Sequence, residues 1–419
     1  MDEADQEQEN RRVLTLLEAL KKATKDLRSY PISLTNNSET TVEALSKLEA
    51  EAAAVVSTNP HIFSLCRLLC NLKTLLETLE KSQGYSLKCL LRHQITSYKI
   101  SRISCKIDAE IQAFLDRESV QSLARTLQES ADEEKKVKVL AEFRNRVCQG
   151  FDRDFQELVL RAKVFSILES ILSDSMCSKR VRDEAALVVD ALVRFNKNVF
   201  VGLVFMGPTI NGALTSIGSC CSIQVFCSLI KFIRTPLIDE MESNGEIPRI
   251  INLLGSEDLS IRAAALDCIL ELAYFGRKEV VEEMLEEKLV EKLMELQRLE
   301  RGSGVVEREN GQVCEETESE TQTKVENNPF GRCVASFSVQ VEVGEGLSQT
   351  EKGEIKLEIL RRVREASVSE AESSTIEAET SKKSFNELKL GRLFDSRMQS
   401  LECSFLEIMN QLLRPWSMG

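Results

Sequence analysis

The sequence predicts an all-α protein, an N-terminal helical bundle followed by an α-solenoid, and three observations carry that reading. Prolines number 7 and glycines 18 in 419 residues, too few for the frequent turns of a sheet protein. Apolar residues recur three and four apart along most of the chain, the period of an amphipathic helix. Finally, stretches such as "NGEIPRIINLLGSEDLSIRAAALDCILELA", residues 244–273, hold two short amphipathic helices around a polar "GSED" turn. Neither helix can bury its apolar stripe alone, so the stretch calls for stacked neighbours. The length suits an extended array, since a single compact core stops growing near ~250–300 residues.

Residues 1–125 do not follow the repeat. Amphipathic runs at "NRRVLTLLEALKKATKDLRSY", "TTVEALSKLEAEAAAVV", "IFSLCRLLCNLKTLLETLEKSQ" and "YKISRISCKIDAEIQAFL" are divided by turn-rich "PISLTNNSE" and "STNPH". Four helices of that length predict an antiparallel bundle.

Repetition begins beyond residue 126. Val181–Phe195 lies over Ile261–Phe275, with Arg182 on Arg262, Ala185 on Ala265 and Leu192 on Leu272, 80 residues apart. Between them, Ile223–Ile233 fits the same frame at steps of 42 and 38, so the period is near 40, the length of an armadillo or HEAT unit. A shorter helix precedes each copy: "KVFSILESIL", "MGPTINGALTSI" and "GEIPRIINLL". A weaker unit is expected upstream in "KKVKVLAEFRNRVCQGFDRDFQELV", which gives an array over 126–301, and another downstream over 329–380. Residues 302–328 carry seven glutamates against one Arg and one Lys and few apolar residues, which predicts an acidic disordered insertion within a repeat. The tail 381–419 changes character and its structure is open.

The pattern of residues 244–273 resembles an armadillo repeat of the plant type. Gly245, Ile247 and Pro248 match its start, Ser256 and Asp258 its turn, and Ile261, Ala265, Ile269 and Leu272 its third helix. Over roughly residues 10–380 the chain is similar to plant armadillo proteins related to U-box ubiquitin ligases but lacking the U-box. "PISL" at Pro31–Leu34 echoes a U-box opening, but Tyr30 stands where the Cys would be and none of the later U-box signature follows. The resemblance implies a non-catalytic scaffold whose partners are other proteins, among them ubiquitin-ligase or kinase signalling components.

The residues themselves exclude much else. Of the two histidines, His61 and His93, neither lies in a nucleophile–base arrangement, and no Gly-rich phosphate loop occurs. The 13 cysteines form no Cys-x-x-Cys pair, and Cys66, Cys70, Cys227 and Cys268 sit on apolar helical faces. That usage predicts reduced core thiols, no metal, no cofactor and a cytoplasmic or nuclear setting. The acidic, polar opening "MDEADQEQEN" lacks the features of a secretory signal. A net charge of −13 argues against nucleic acid as a partner. The uncharged run Asn198–Ile230 is broken by Pro208, Asn211 and glycines, so buried repeat helices are expected there rather than a membrane span. The charged run 279–301 is expected to be a solvated helix face.

What is left is surface. Armadillo arrays stack their third helices along a groove, and the resemblance places partner segments there. The expected positions at the start of that helix are Arg182, Gln224 and Arg262, two of them guanidinium groups suited to carboxylates. Near its end, where importin-type members carry Asn with a Trp one turn away, this chain has Ala191, Ile233 and Glu271, and its one Trp is Trp416. Arg182, Gln224, Arg262 and Glu271 are therefore the candidate partner-binding residues, and an importin-like ligand is not expected. Three function classes follow: an interaction scaffold, an accessory or substrate-recognition subunit in ubiquitin ligation, and a membrane-associating adaptor, which the resemblance implies through the N-terminal bundle and to which the basic stretch "LKKATKDLRS" adds only weak support.

Overall fold

A computed structural model describes residues 15, 17–22, 24–25, 63–80, 87–206, 209–306 and 330–380, and every regular element among them is helical. The expectations for "PISL", for the second N-terminal helical run and for the tail 381–419 lie outside the described residues. The chain divides into two compact units: residues 1–139 with 152–164, and residues 140–151 with 165–419.

The first unit is built on α1 (Phe63–Glu80) and α2 (Leu87–Glu129), which pack on each other and on the helical segment that holds Leu17 and Leu20. Leucines 65, 69, 72, 76 and 79 recur at steps of four and three along α1, so they share one face. All are buried against Ile100, Ile107 and Ile111 of α2 and against Leu17 and Leu20. Two polar contacts tie the third segment to α2: Thr24 donates to Asp108 at 2.5 Å in a part-buried position, and Lys21 donates to Gln112 at 2.8 Å at the surface. The helix expected to start near Tyr98 belongs to the continuous α2, and position 125 lies within it. α4 (Arg153–Arg161) also packs on α2 and is capped by Asp152, which accepts from the amides of Asp154 and Phe155.

α3 (Glu133–Val147) carries residues of both units. The second unit then runs through α5 (Val164–Ser173), α6 (Lys179–Phe195), α7 (Lys197–Met206), α8 (Thr209–Ile217), α9 (Cys220–Ile233), α10 (Thr235–Ser243), α11 (Glu246–Asn252), α12 (Leu259–Phe275), α13 (Lys278–Glu286), α14 (Leu289–Val306), α15 (Cys333–Val343), α16 (Gln349–Ala366) and a last helix over residues 370–380. From α7 onward these group by threes, α7–α9, α10–α12 and α13–α15, in the armadillo arrangement. The third helices stack, α6 on α9, α9 on α12 and α12 on α15.

Local chemistry explains the breaks. Ser178, Ser219 and Asp258 cap α6, α9 and α12 by accepting from the amides of Val181, Ser222 and Ser260. A left-handed residue makes the turn between the first and second helices of two of these units, Gly245 at φ 66° and Lys288 at 57°. Lys163, between α4 and α5, takes the same conformation at 52°. Pro248 falls within the first turn of α11, where its missing N–H leaves no helical bond unmade.

The uncharged run 198–230 forms α7, α8 and most of α9, with Phe200, Val204, Leu214, Ile223 and Phe226 fully buried. No single helix among the described residues is long and apolar enough to cross a membrane. The expected acidic insertion starts later than Gly302: residues 302–306 complete α14, and 307–328 lie outside the described residues. Its flanks are joined by the buried Gln297, whose Nε2 donates to the Gly331 carbonyl at 2.8 Å and whose Oε1 accepts from the Val334 amide at 3.4 Å. Cys333 adds an Sγ contact of 3.1 Å to the Leu293 carbonyl.

Candidate functional site

The stacked third helices set the candidate site, and their C-terminal ends set its register. Each closes on an amide–carbonyl bond four residues back: Asn196 to Leu192, Arg234 to Ile230, Gly276 to Leu272 and Gly344 to Gln340. Leu192, Ile230 and Leu272 therefore share a row, and the steps are 38 and then 42. This corrects the sequence alignment, which placed α9 one helical turn away. The stripe of α9 is apolar at nearly every third and fourth position, so a slip of one turn matches almost as well in sequence. α9 also starts three residues later in this register than α6 and α12, because Ser219 caps it there.

The four candidate residues consequently separate. Arg182 and Arg262 do share a row, but the residue between them is Cys220, while Gln224 lies level with Ala186 and Leu266. Arg182 and Arg262 are half-buried, and the Nε of each is enclosed without a hydrogen-bond partner. The Arg262 guanidinium carbon stands 5.8 Å above the Phe330 ring, a cation–π arrangement. Gln224 is exposed. Glu271 is half-buried and pairs with Lys231 of the neighbouring helix at 3.2 Å.

Side chains that the sequence reading passed over link these helices across the stack. Arg194 on α6 donates through Nε to Asp190 at 2.8 Å and through Nη2 to Ser228 on α9 at 2.7 Å. Ser228 in turn donates to Asp190 at 2.5 Å, and the Arg194 guanidinium lies 4.7 Å from the centre of the Phe232 ring. One repeat further, Lys231 and Glu271 join α9 to α12, with Asp267 exposed one turn before Glu271. Half-buried Leu187, Phe232, Leu270 and Tyr274 lie between these polar groups. The only sequence signal for this arrangement was a polar residue interrupting an apolar helix every three or four positions, which reads equally well as ordinary solvent exposure.

Electrostatics follow from partial burial. Burial pushes the half-buried Glu271 carboxyl up, with Lys231 opposing. The thiols behave as core groups: burial pushes Cys221 up to about 11 and Cys227 up to about 12, and raises Cys268 well above the ordinary range. At neutral pH they are protonated and poor nucleophiles. Among the described residues, no group of three or more His, Cys, Asp or Glu side chains is placed to hold a metal ion. The face presents paired charges at repeat spacing with half-buried apolar side chains between them.

No protein-family model matches the chain, and no curated protein matches it. Among solved structures it is similar to a designed armadillo repeat protein, at 16% identity and a TM-score of 0.39, over 63% of this chain and 98% of that one. An engineered protein matches at 13% identity and a TM-score of 0.37, over 87% of this chain and 98% of that one. These superpositions are loose, and the repeat architecture rests on the chain's own register and caps.

Proposed function

We propose that the chain is a non-catalytic scaffold that holds partner proteins through extended segments laid on the exposed face of α6, α9 and α12. The observation that carries this reading is the set of side-chain links from helix to helix, Asp190–Arg194–Ser228 and then Lys231–Glu271. They give three successive helices one continuous polar face with apolar shelves. Repeat stacking supplies such a face without any reacting centre, and extended segments match its length. Gln224 and Glu271 then contact the ligand within the face. Arg182 and Arg262 stand at the start of their helices and offer guanidinium donors to carboxylates at its edge.

Selection of displayed peptides on the full chain tests this. Peptides enriched on the natural protein should bind the Gln224→Arg, Asp267→Arg double variant at least ~10-fold more weakly, since both positions are exposed and the changes add two positive charges and remove one negative one. Unchanged affinity would place the binding surface elsewhere. The resemblance to plant armadillo proteins supports partners in ubiquitin ligation or kinase signalling, and a cytoplasmic or nuclear setting. A reconstituted ubiquitylation reaction whose rate and substrate range ignore added chain would argue against the accessory-subunit reading.

A further inference from the structure

The first half of α2 presents a face that neither the bundle core nor the scaffold reading uses. Leu90, Leu91, Ile95 and Tyr98 are 58%, 59%, 55% and 66% exposed, an unusual concentration of large apolar side chains on one helix. The same stretch, residues 87–107, contains Lys88, Arg92, Lys99, Arg102 and Lys106 and no Asp or Glu, in a chain whose net charge is −13. All five basic side chains are exposed, and no ion pair engages them among the described residues.

Helical geometry sorts these groups. At about 100° per residue, Leu91, Ile95 and Tyr98 fall within one narrow stripe, continued at its end by Arg102. Lys88, Arg92, Lys99 and Lys106 form a row along one flank only. The other flank carries Leu90, Gln94 and Cys105, all uncharged. Ile100, Ser104 and Ile107 lie on the opposite side of the helix, buried in the bundle. The asymmetry discriminates between occupants. An anionic lipid surface is met best by basic residues on both flanks of an apolar stripe. A second helix packed along the stripe has one flank facing each row, so it calls for apolar residues along its seam and acidic residues on a single side.

We propose that this face of α2 is a docking site for an acidic amphipathic helix of a partner protein, seated on Leu91, Ile95 and Tyr98 with its carboxylates along Lys88, Arg92, Lys99 and Lys106. The site is independent of the face on α6, α9 and α12, so either can fail without the other.

The test uses the full chain and two synthetic ~20-residue helical peptides with leucines three and four apart, one with glutamates along a single flank and one with lysines there. Fluorescence anisotropy should show the glutamate peptide binding at least ~10-fold tighter than the lysine peptide, with the gap narrowing in high salt. Lys99→Glu with Lys106→Glu should reverse the preference. Both positions are exposed, and circular dichroism would verify retained helix. Leu91→Asp with Ile95→Asp should abolish binding of both peptides. Equal affinity for the two peptides would overturn the proposal. So would phosphatidylserine vesicles binding in a way that the same substitutions abolish, which would assign the face to lipid. Binding of the glutamate peptide only after deletion of residues 40–56 would overturn it too, by assigning the face to the chain's own acidic stretch "TTVEALSKLEAEAAAVV".

Discussion

Substituting Gly346 with alanine tests the packing at the end of the stack. The chain leaving α15 crosses the C-terminus of α12 so closely that a Cβ at position 346 would lie 2.6 Å from the Gly276 carbonyl carbon and 2.7 Å from the Phe275 oxygen, with the Gly276 oxygen closer still. Carbon contacts normally sit near 3.5–4.0 Å, so the backbone must retreat by about 1 Å. That retreat breaks two bonds onto the Tyr274 carbonyl, from the amides of Glu345 at 2.7 Å and Gly346 at 3.2 Å. At roughly 1 kcal/mol per bond, with about 1–3 kcal/mol for overpacking, the loss is about 3–5 kcal/mol. Urea titration followed by helical circular dichroism measures it. Gly353 within α16 is the control: nothing lies within 4 Å of its added Cβ, so alanine there should stabilise by roughly 0.5–1 kcal/mol. If Gly346→Ala cost under ~1 kcal/mol, the close approach of α15's exit to α12 would be wrong.

Three further outcomes follow. Gln297→Ala should destabilise by about 1–3 kcal/mol in the same titration, because it strands the buried Val334 amide and the Gly331 carbonyl together; a neutral result would mean the flanks of the acidic stretch are not joined there. Gly245→Ala should cost about 1 kcal/mol, and Lys288→Gly should recover a smaller amount, since only the left-handed backbone differs and no atom lies within 4 Å of the added Cβ at 245. Glu240 bears on pH: burial pushes its carboxyl above the ordinary 4.5, opposed by the Asn211 amide. The folded protein then holds this proton more tightly than the unfolded chain, so the carboxyl's contribution to stability falls as pH rises from about 4.5 through the folded value. Glu240→Gln should therefore gain stability relative to the natural protein as pH rises through that range, as read by thermal melts at several pH values. A difference constant with pH would show that Glu240 titrates as if exposed.

The repeats were legible because their signal is local: the apolar stripes of α6 and α12 match each other residue by residue, and the polar "GSED" turn separates α11 from α12. The continuity of α2 was not legible, since Leu90, Leu91, Ile95 and Tyr98 put apolar residues on an exposed face and hid the helical stripe before Tyr98. The register of α9 failed for a different reason. An apolar helix matches itself after a shift of one turn, and only the bonds at its ends remove that ambiguity. The inter-helix links depended on that register, so Asp190, Arg194 and Ser228 could not be brought together from sequence, and Gln224 was grouped with two arginines it does not accompany.

Site-specific photo-cross-linking locates partner segments on the exposed face of α6, α9 and α12. A benzophenone side chain placed at Gln224 or Asp267 should cross-link a peptide selected on the natural chain, whereas one placed at the exposed Glu286 of α13 should not. Cross-linking from Glu286 with none from Gln224 or Asp267 would put the partner on a different face of the chain.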